Sequence, residues 1–329
     1  MRDIPGAWRR AARGAGLLSE DGSPVPTIFA EMSALAVATG AINLGQGFPD
    51  EDGPDEVLRV ARQAIADGVN QYPPGRGILD LRQAVAEHQR RFYGLDLDPE
   101  RDVLVTAGAT EALAAALLAF VEDGEDEVVR LADRHDAIIV TDEVYEHLVF
   151  DSVHTPIATL PGAWARTLTI SSGGKTFSTT GWKIGWVAGP SDLVDAVLAV
   201  KQFLTYVNGA PFQPAIATGL RLPDDFFRGA AQTLRAKRDL LGDGLRWAGF
   251  DVIEPHATYF TVADAAPLGA TDAATFCREL PGRAGVVAIP MTAFVTAAHR
   301  DEYATLVRFA ACKRLEVLEE AATRLAALA

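Results

Sequence analysis

Residues 171–186 read SSGGKTFSTTGWKIGW, with one lysine, Lys175, set among small residues and ahead of two tryptophans. A lysine that bonds covalently to a carbonyl has to be unprotonated and must admit a bulky ligand close to its backbone, which small neighbours allow. Two further features end candidate strands. Asp142 closes AIIVT, and Gly108-Ala109-Thr110 joins VLVTA to a helix. The free N–H groups and positive dipole end of such a helix start suit a phosphate.

These residues need elements that bring them to one place. Helical spacing of apolar residues predicts helices over 54–68, 80–94 and 111–122, and β-branched runs predict strands over 102–108, 137–143, 167–172 and 182–189. The three later runs read as short buried strands. Strands alternating with helices imply an α/β sheet, and such sheets bind ligands at their strand ends, where Asp142, Lys175 and Gly108 fall. Beyond about residue 215 the texture changes to long helices at 226–249 and 315–329, with strand-like pieces at 258–264 and 306–312. That half reads as a smaller α+β domain.

A phosphate cradle, a buried carboxylate and an imine-forming lysine are together what pyridoxal phosphate requires. The carboxylate keeps the pyridine nitrogen protonated, which makes the ring an electron sink. A Schiff-base aldolase also needs the lysine, but not the other two features.

Composition narrows the remaining classes. The chain has 329 residues, 49% hydrophobic and 22% charged, with a net charge of −14, so a general role on nucleic acid or anionic lipid is not expected. Cys277 and Cys312 are too few for a disulfide framework or a cysteine metal site. The histidines, His88, His135, His147, His154, His256 and His299, show no ligand spacing, so no metal is expected. No apolar run approaches the roughly 20 residues that span a bilayer. Residues 1–26 hold arginines but no apolar signal core, and the expected location is the cytoplasm.

INLGQGFPDEDGP (42–54), NQYPPGRG (70–77), VTAGATEAL (105–113), VTDEVYEHLVFD (140–151), SSGGKTFSTTGWKIGW (171–186), GAPFQP (209–214) and LVRFAACKR (306–314) occur in that order. On these motifs the chain resembles a class I/II aminotransferase of the pyridoxal-phosphate fold type I superfamily, in the branch of N-succinyldiaminopimelate and kynurenine aminotransferases. The resemblance implies a mostly parallel sheet flanked by helices plus a smaller α+β domain. It implies an N-terminal arm over 1–26, small-domain residues over 27–47, a large cofactor domain over 48–215 and a small C-terminal domain over 216–329.

It also implies roles. Lys175 holds pyridoxal phosphate through an imine and moves the substrate's proton, Asp142 pairs with the pyridine nitrogen, and Tyr145 donates to the ring hydroxyl. Ala109, Thr110, Ser172 and Lys183 bind phosphate, with Lys183 standing where many members carry arginine. Tyr72 reaches the phosphate of a neighbouring subunit, so a homodimer with shared sites is expected. Arg308 clamps the substrate carboxylate, and Gly47 lies in the segment that closes over it. The expected substrates are an amino acid and a 2-oxo acid.

One stretch departs from the family. It usually has about a hundred residues between the phosphate turn and the aspartate, against 31 here, so roughly 65–70 are missing near Val129-Arg130. The missing part normally supplies an aromatic ring stacked on the cofactor and an Asn-Pro-x-Gly segment. Its loss is expected to leave AIIVTDE as a new sheet edge.

Overall fold

The computed structural model describes residues 8–19, 21–120 and 137–329. In chain order the helices are α1 (Trp8–Gly14), α2 (Ile28–Thr39), α3 (Asp55–Ala66), α4 (Leu79–Tyr93), α5 (Gly108–Phe120), α6 (Gly173–Thr176), α7 (Ser191–Lys201), α8 (Gln213–Leu220), α9 (Asp224–Trp247), α10 (Ala273–Ala284) and α11 (Leu315–Leu325). The strands are β1 (Ile42–Asn43), β2 (Val103–Ala107), β3 (Ile139–Asp142), β4 (Thr167–Ser172), β5 (Ile184–Ala188), β6 (Asp251–Ile253), β7 (Phe260–Asp264), β8 (Val286–Val287), β9 (Ile289–Pro290) and β10 (Leu306–Ala310). None of these helices is long and apolar enough to cross a membrane. The chain divides into one unit of residues 1–50 and 233–329 and another of residues 51–232.

The unit of residues 51–232 is built on a sheet of order β2-β5-β4-β3. β5 runs antiparallel to both neighbours and β3 parallel to β4, so β2, β4 and β3 all point the same way. Alternation along each strand supplies two apolar faces. Val103, Val105, Ile184 and Trp186 pack with Leu81 and Val85 of α4 and Ile216 of α8, whereas Leu104 and Val187 pack with Ala112 of α5 and Val194 and Val197 of α7. The local signals that shape the helices are visible. Asp55 and Glu56 sit in the first turn of α3, which buries Val57, Ala61 and Ala64. Gly94, left-handed with φ 70°, ends α4.

Two expectations change at β3. Among the described residues it pairs with β4 alone, where a new sheet edge is expected. Residues 139–141 are only half-buried and Asp142 is exposed, not a buried strand with a buried carboxylate. No second neighbour strand among the described residues covers the other side of β3.

The unit of residues 1–50 and 233–329 holds an antiparallel sheet of order β6-β7-β10-β9 and a parallel pair of β1 with β8. Its core gathers Met32, Leu44, Leu241, Leu245, Phe250, Phe276, Phe309 and Leu318. Side chains cap two of its helices: Thr27 accepts from the Ala30 amide at 3.1 Å before α2, and Asp272 from the Thr275 amide at 2.7 Å before α10.

Candidate active site

Strand direction brings the chemistry to one end of the first sheet. β2, β3 and β4 finish there at Ala107, Asp142 and Ser172, and β5, running the other way, begins there: Ile184 pairs with Ala107 and Gly185 with Ser172. Lys183 therefore arrives beside the turn after β2, and Lys175 follows β4 on the short helix α6. A cavity of about 380 Å³ at this end is lined by Ala109, Thr110, Asp142, Tyr145, Ser172, Lys175 and Lys183. Gly174 and Thr180, which the sequence reading does not name, line it too.

The phosphate end is built from backbone and close approach. Gly108 adopts φ 70° at the start of α5, a conformation that favours glycine. Gly185 has to be glycine as well, because a Cβ there would lie 2.6 Å from the Gly108 carbonyl carbon and 2.8 Å from the Ala109 nitrogen. Lys183 Nζ donates to Thr110 Oγ1 at 3.2 Å, so an ammonium, a hydroxyl and the positive end of α5 meet at one spot.

Lys183 itself is left-handed, φ 55°, which costs a non-glycine residue energy unless its surroundings hold it. Asn208 does so by donating from Nδ2 to the Lys183 carbonyl at 2.8 Å and to the Thr106 carbonyl at 3.3 Å. Glu111 adds a second brace, accepting from the Ala107 amide at 2.6 Å and from the Thr205 hydroxyl. Sequence reasoning missed Asn208 because its partners lie 25 and 102 positions away.

Lys175 Nζ stands 5.9 Å from the centre of the Tyr145 ring. Desolvation at the cavity wall raises the Asp142 pKa, with Glu143 adding to the rise, while the Val144 amide and the Lys175 charge oppose it. Tyr72 is 83% exposed and does not line the cavity; its ring meets Tyr206 edge-to-face at 6.0 Å. Arg308 and Gly47 belong to the other unit, where both meet Phe260. The Arg308 guanidinium lies 4.0 Å over the Phe260 ring and 4.5 Å over that of Phe294, and it donates to the Gly45 carbonyl at 3.2 Å. A Cβ at Gly47 would come within 2.6 Å of Phe260 Cζ, and the Gly47 carbonyl accepts from the Tyr259 hydroxyl at 2.6 Å.

The donor set fits pyridoxal phosphate at three of its ends: Thr110, Ser172, Lys183 and the α5 start for the phosphate, Lys175 for the carbonyl, and Asp142 for the pyridine nitrogen. The faces of the ring are less well served. Among the described residues Tyr145 is the only aromatic side chain along the cavity.

The histidines behave differently from the sequence expectation. His88 on α4 and His147, just beyond Tyr145, come nose to nose, Nε2 to Nε2 at 2.6 Å, with the Glu146 carboxylate in the same cluster. The 59 positions that separate them hid this pairing from any local spacing rule.

Comparison with known proteins agrees with the geometry. The family "Aminotransferase class I and II" matches in two segments, 39–129 and 124–325, which meet where the sequence places the missing stretch. The Mycobacterium tuberculosis protein named probable N-succinyldiaminopimelate aminotransferase is 44% identical over 92% of this chain and 96% of its own length, in an alignment of 381 positions, more than this chain's 329 residues. A solved structure of N-succinyldiaminopimelate aminotransferase from the same species superposes with a TM-score of 0.89 at 41% identity, covering 100% of both chains. The methionine aminotransferase of Escherichia coli is 31% identical over 91% of this chain and 95% of its own. The chain belongs to the class I and II aminotransferases, the pyridoxal-phosphate-dependent transaminases of fold type I.

Proposed function

We propose that the protein binds pyridoxal phosphate on Lys175 and moves an amino group between N-succinyl-LL-2,6-diaminopimelate, or a similar amino acid, and a 2-oxo acid, with glutamate and 2-oxoglutarate as the shared pair. On this reading it serves lysine biosynthesis in the cytoplasm as a homodimer. The observation that carries it is the cavity that collects Lys175, Asp142, Tyr145 and the phosphate-binding residues. The substrate follows the name of the 44% identical relative.

Pyridoxal phosphate, when bound, supplies an electron sink for the carbanion at the substrate Cα. Lys175 would hold the carbonyl end of the group, and its Nζ, once free, would carry the proton to and from the substrate Cα. Asp142 in its ionised form would hold the proton on the pyridine nitrogen. Tyr145 donates to the ring hydroxyl. Thr110, Ser172, Lys183 and the α5 amides fix the phosphate, and Arg308, held flat by Phe260 and Phe294, orients the substrate carboxylate. Tyr72 serves a partner subunit, in keeping with its exposure.

The test is the visible absorption of the purified chain with pyridoxal phosphate, before and after glutamate, followed by turnover with N-succinyl-LL-2,6-diaminopimelate. A bound-cofactor band that glutamate converts, and turnover with that substrate above kynurenine, support the reading. Preference for kynurenine favours the branch of the Dictyostelium discoideum kynurenine–oxoglutarate transaminase, 28% identical over 90% of this chain, with cysteine-conjugate β-lyase activity as a side reaction. A band that never forms favours a dimeric binding scaffold with impaired catalysis, in line with the thin aromatic lining of the cavity.

A further inference from the structure

We propose that His88, His147 and Glu146 supply three ligands, with a water as the fourth, to a divalent transition metal of the zinc class, which ties α4 to the turn that follows Asp142 and carries Tyr145. One ligand atom from each of the three lies within 4.8 Å of the others, and the imidazoles meet through their Nε2 atoms at 2.6 Å. Tetrahedral coordination at about 2.0 Å sets ligand atoms roughly 3.3 Å apart. Ligation therefore asks the rings to part by about 0.7 Å and the carboxylate to close by at most about 1.5 Å.

One feature is left unexplained by a simple hydrogen bond between the rings. Glu146 is 6% exposed, and its carboxylate takes Ser171 Oγ at 2.6 Å and the Tyr93 hydroxyl, both neutral donors, while the positive charge that bears on it, His154, is itself engaged by Glu143 at 2.8 Å. A carboxylate taken out of water with so little opposite charge is costly, and a bound dication removes that cost.

The surroundings suit a structural ion. Phe92, Tyr93 and Phe227 pack around the two rings, which closes the site to substrate. Arg91, stacked over Phe92 at 4.8 Å, is neutralised by its ion pair with Asp224. His154 is engaged by Glu143 at 2.8 Å. Two imidazoles and a carboxylate favour zinc, cobalt or nickel over magnesium or calcium. A metal here braces the turn after β3, the strand that lacks a second neighbour among the described residues.

The full chain, loaded with pyridoxal phosphate and stripped with a chelator, is titrated with Zn²⁺ and, separately, Co²⁺. The expected results are one equivalent bound per chain, intense tetrahedral Co²⁺ bands in the visible, and a Tm raised by roughly 5 °C at saturating Zn²⁺. His88→Gln and His147→Gln should each lose the bands and the shift while keeping the cofactor's own absorption. Equal binding by wild type and both variants means an adventitious ion only, and no binding by wild type means a direct imidazole hydrogen bond; either overturns the site. Should the variants not fold, zinc-edge X-ray absorption of the wild-type chain decides it. Two imidazoles in the zinc shell support the site, and an oxygen-only shell overturns it.

Discussion

On the proposed function, Lys175 and Asn208 represent two kinds of residue in this site, one reacting and one holding. Lys175→Ala removes the only amine proposed to attach to the cofactor. It should abolish the bound-cofactor band and lower transamination by about 10³-fold or more, read by absorption and by glutamate-dependent turnover. Asn208→Ala leaves the reacting groups intact but frees the left-handed carbonyl of Lys183. A lost hydrogen bond of about 1 kcal/mol corresponds to roughly fivefold weaker retention of pyridoxal phosphate, measured by fluorescence titration. Arg308→Lys keeps the charge but not the planar fork that lies over Phe260 and Phe294. The amino-acid KM should rise by about tenfold or more, with a smaller change in kcat.

At the scale of elements, helix caps give a clean case. Asp272 accepts the Thr275 amide at the start of α10, and this hydrogen bond holds its carboxyl below the usual carboxylate range. The folded pKa is the lower one, so the stabilisation is fully present above the unfolded value of about 3.9 and is lost as pH falls through the folded value. Asp272→Ala should cost about 1 kcal/mol in denaturant unfolding at pH 7, and the gap from wild type should shrink with acidification. β3 is a different case. Its backbone keeps its register with β4, and Asp142 at its end is exposed where it lines the cavity.

At the scale of the whole molecule, the proposal of a homodimer rests on surface aromatics as much as on Tyr72. Tyr72, Phe203 and Tyr206 all belong to one unit and are 83%, 84% and 51% exposed. Exposed aromatic residues of this kind mark interaction surfaces. Sedimentation velocity should give a dimer at micromolar concentration. Tyr72→Ala should weaken pyridoxal phosphate binding several-fold without altering the fold as seen by far-UV circular dichroism. A monomer at every concentration sinks the shared-site reading.

What the sequence by itself determined was whatever is written in short-range pattern. The strand expected at 167–172 is β4, residue for residue, and the helices expected near 54–68 and 80–94 are α3 and α4, because period and turn chemistry act over a few residues. The ordered motifs carried the family and placed Lys175, Ser172 and Thr110 at strand ends. Helices α1, α2, α6, α7, α8 and α10 escaped this reading. α2, IFAEMSALAVAT, and α8, QPAIATGL, are apolar on nearly every side and show little periodic contrast. Only the tertiary structure decided that Asn208 holds Lys183, that His88 meets His147, and that Asp142 stands at an exposed edge. Each of these depends on strands or helices distant in sequence coming side by side, and burial, charge and hydrogen bonding are set by those neighbours, not by the residues next along the chain.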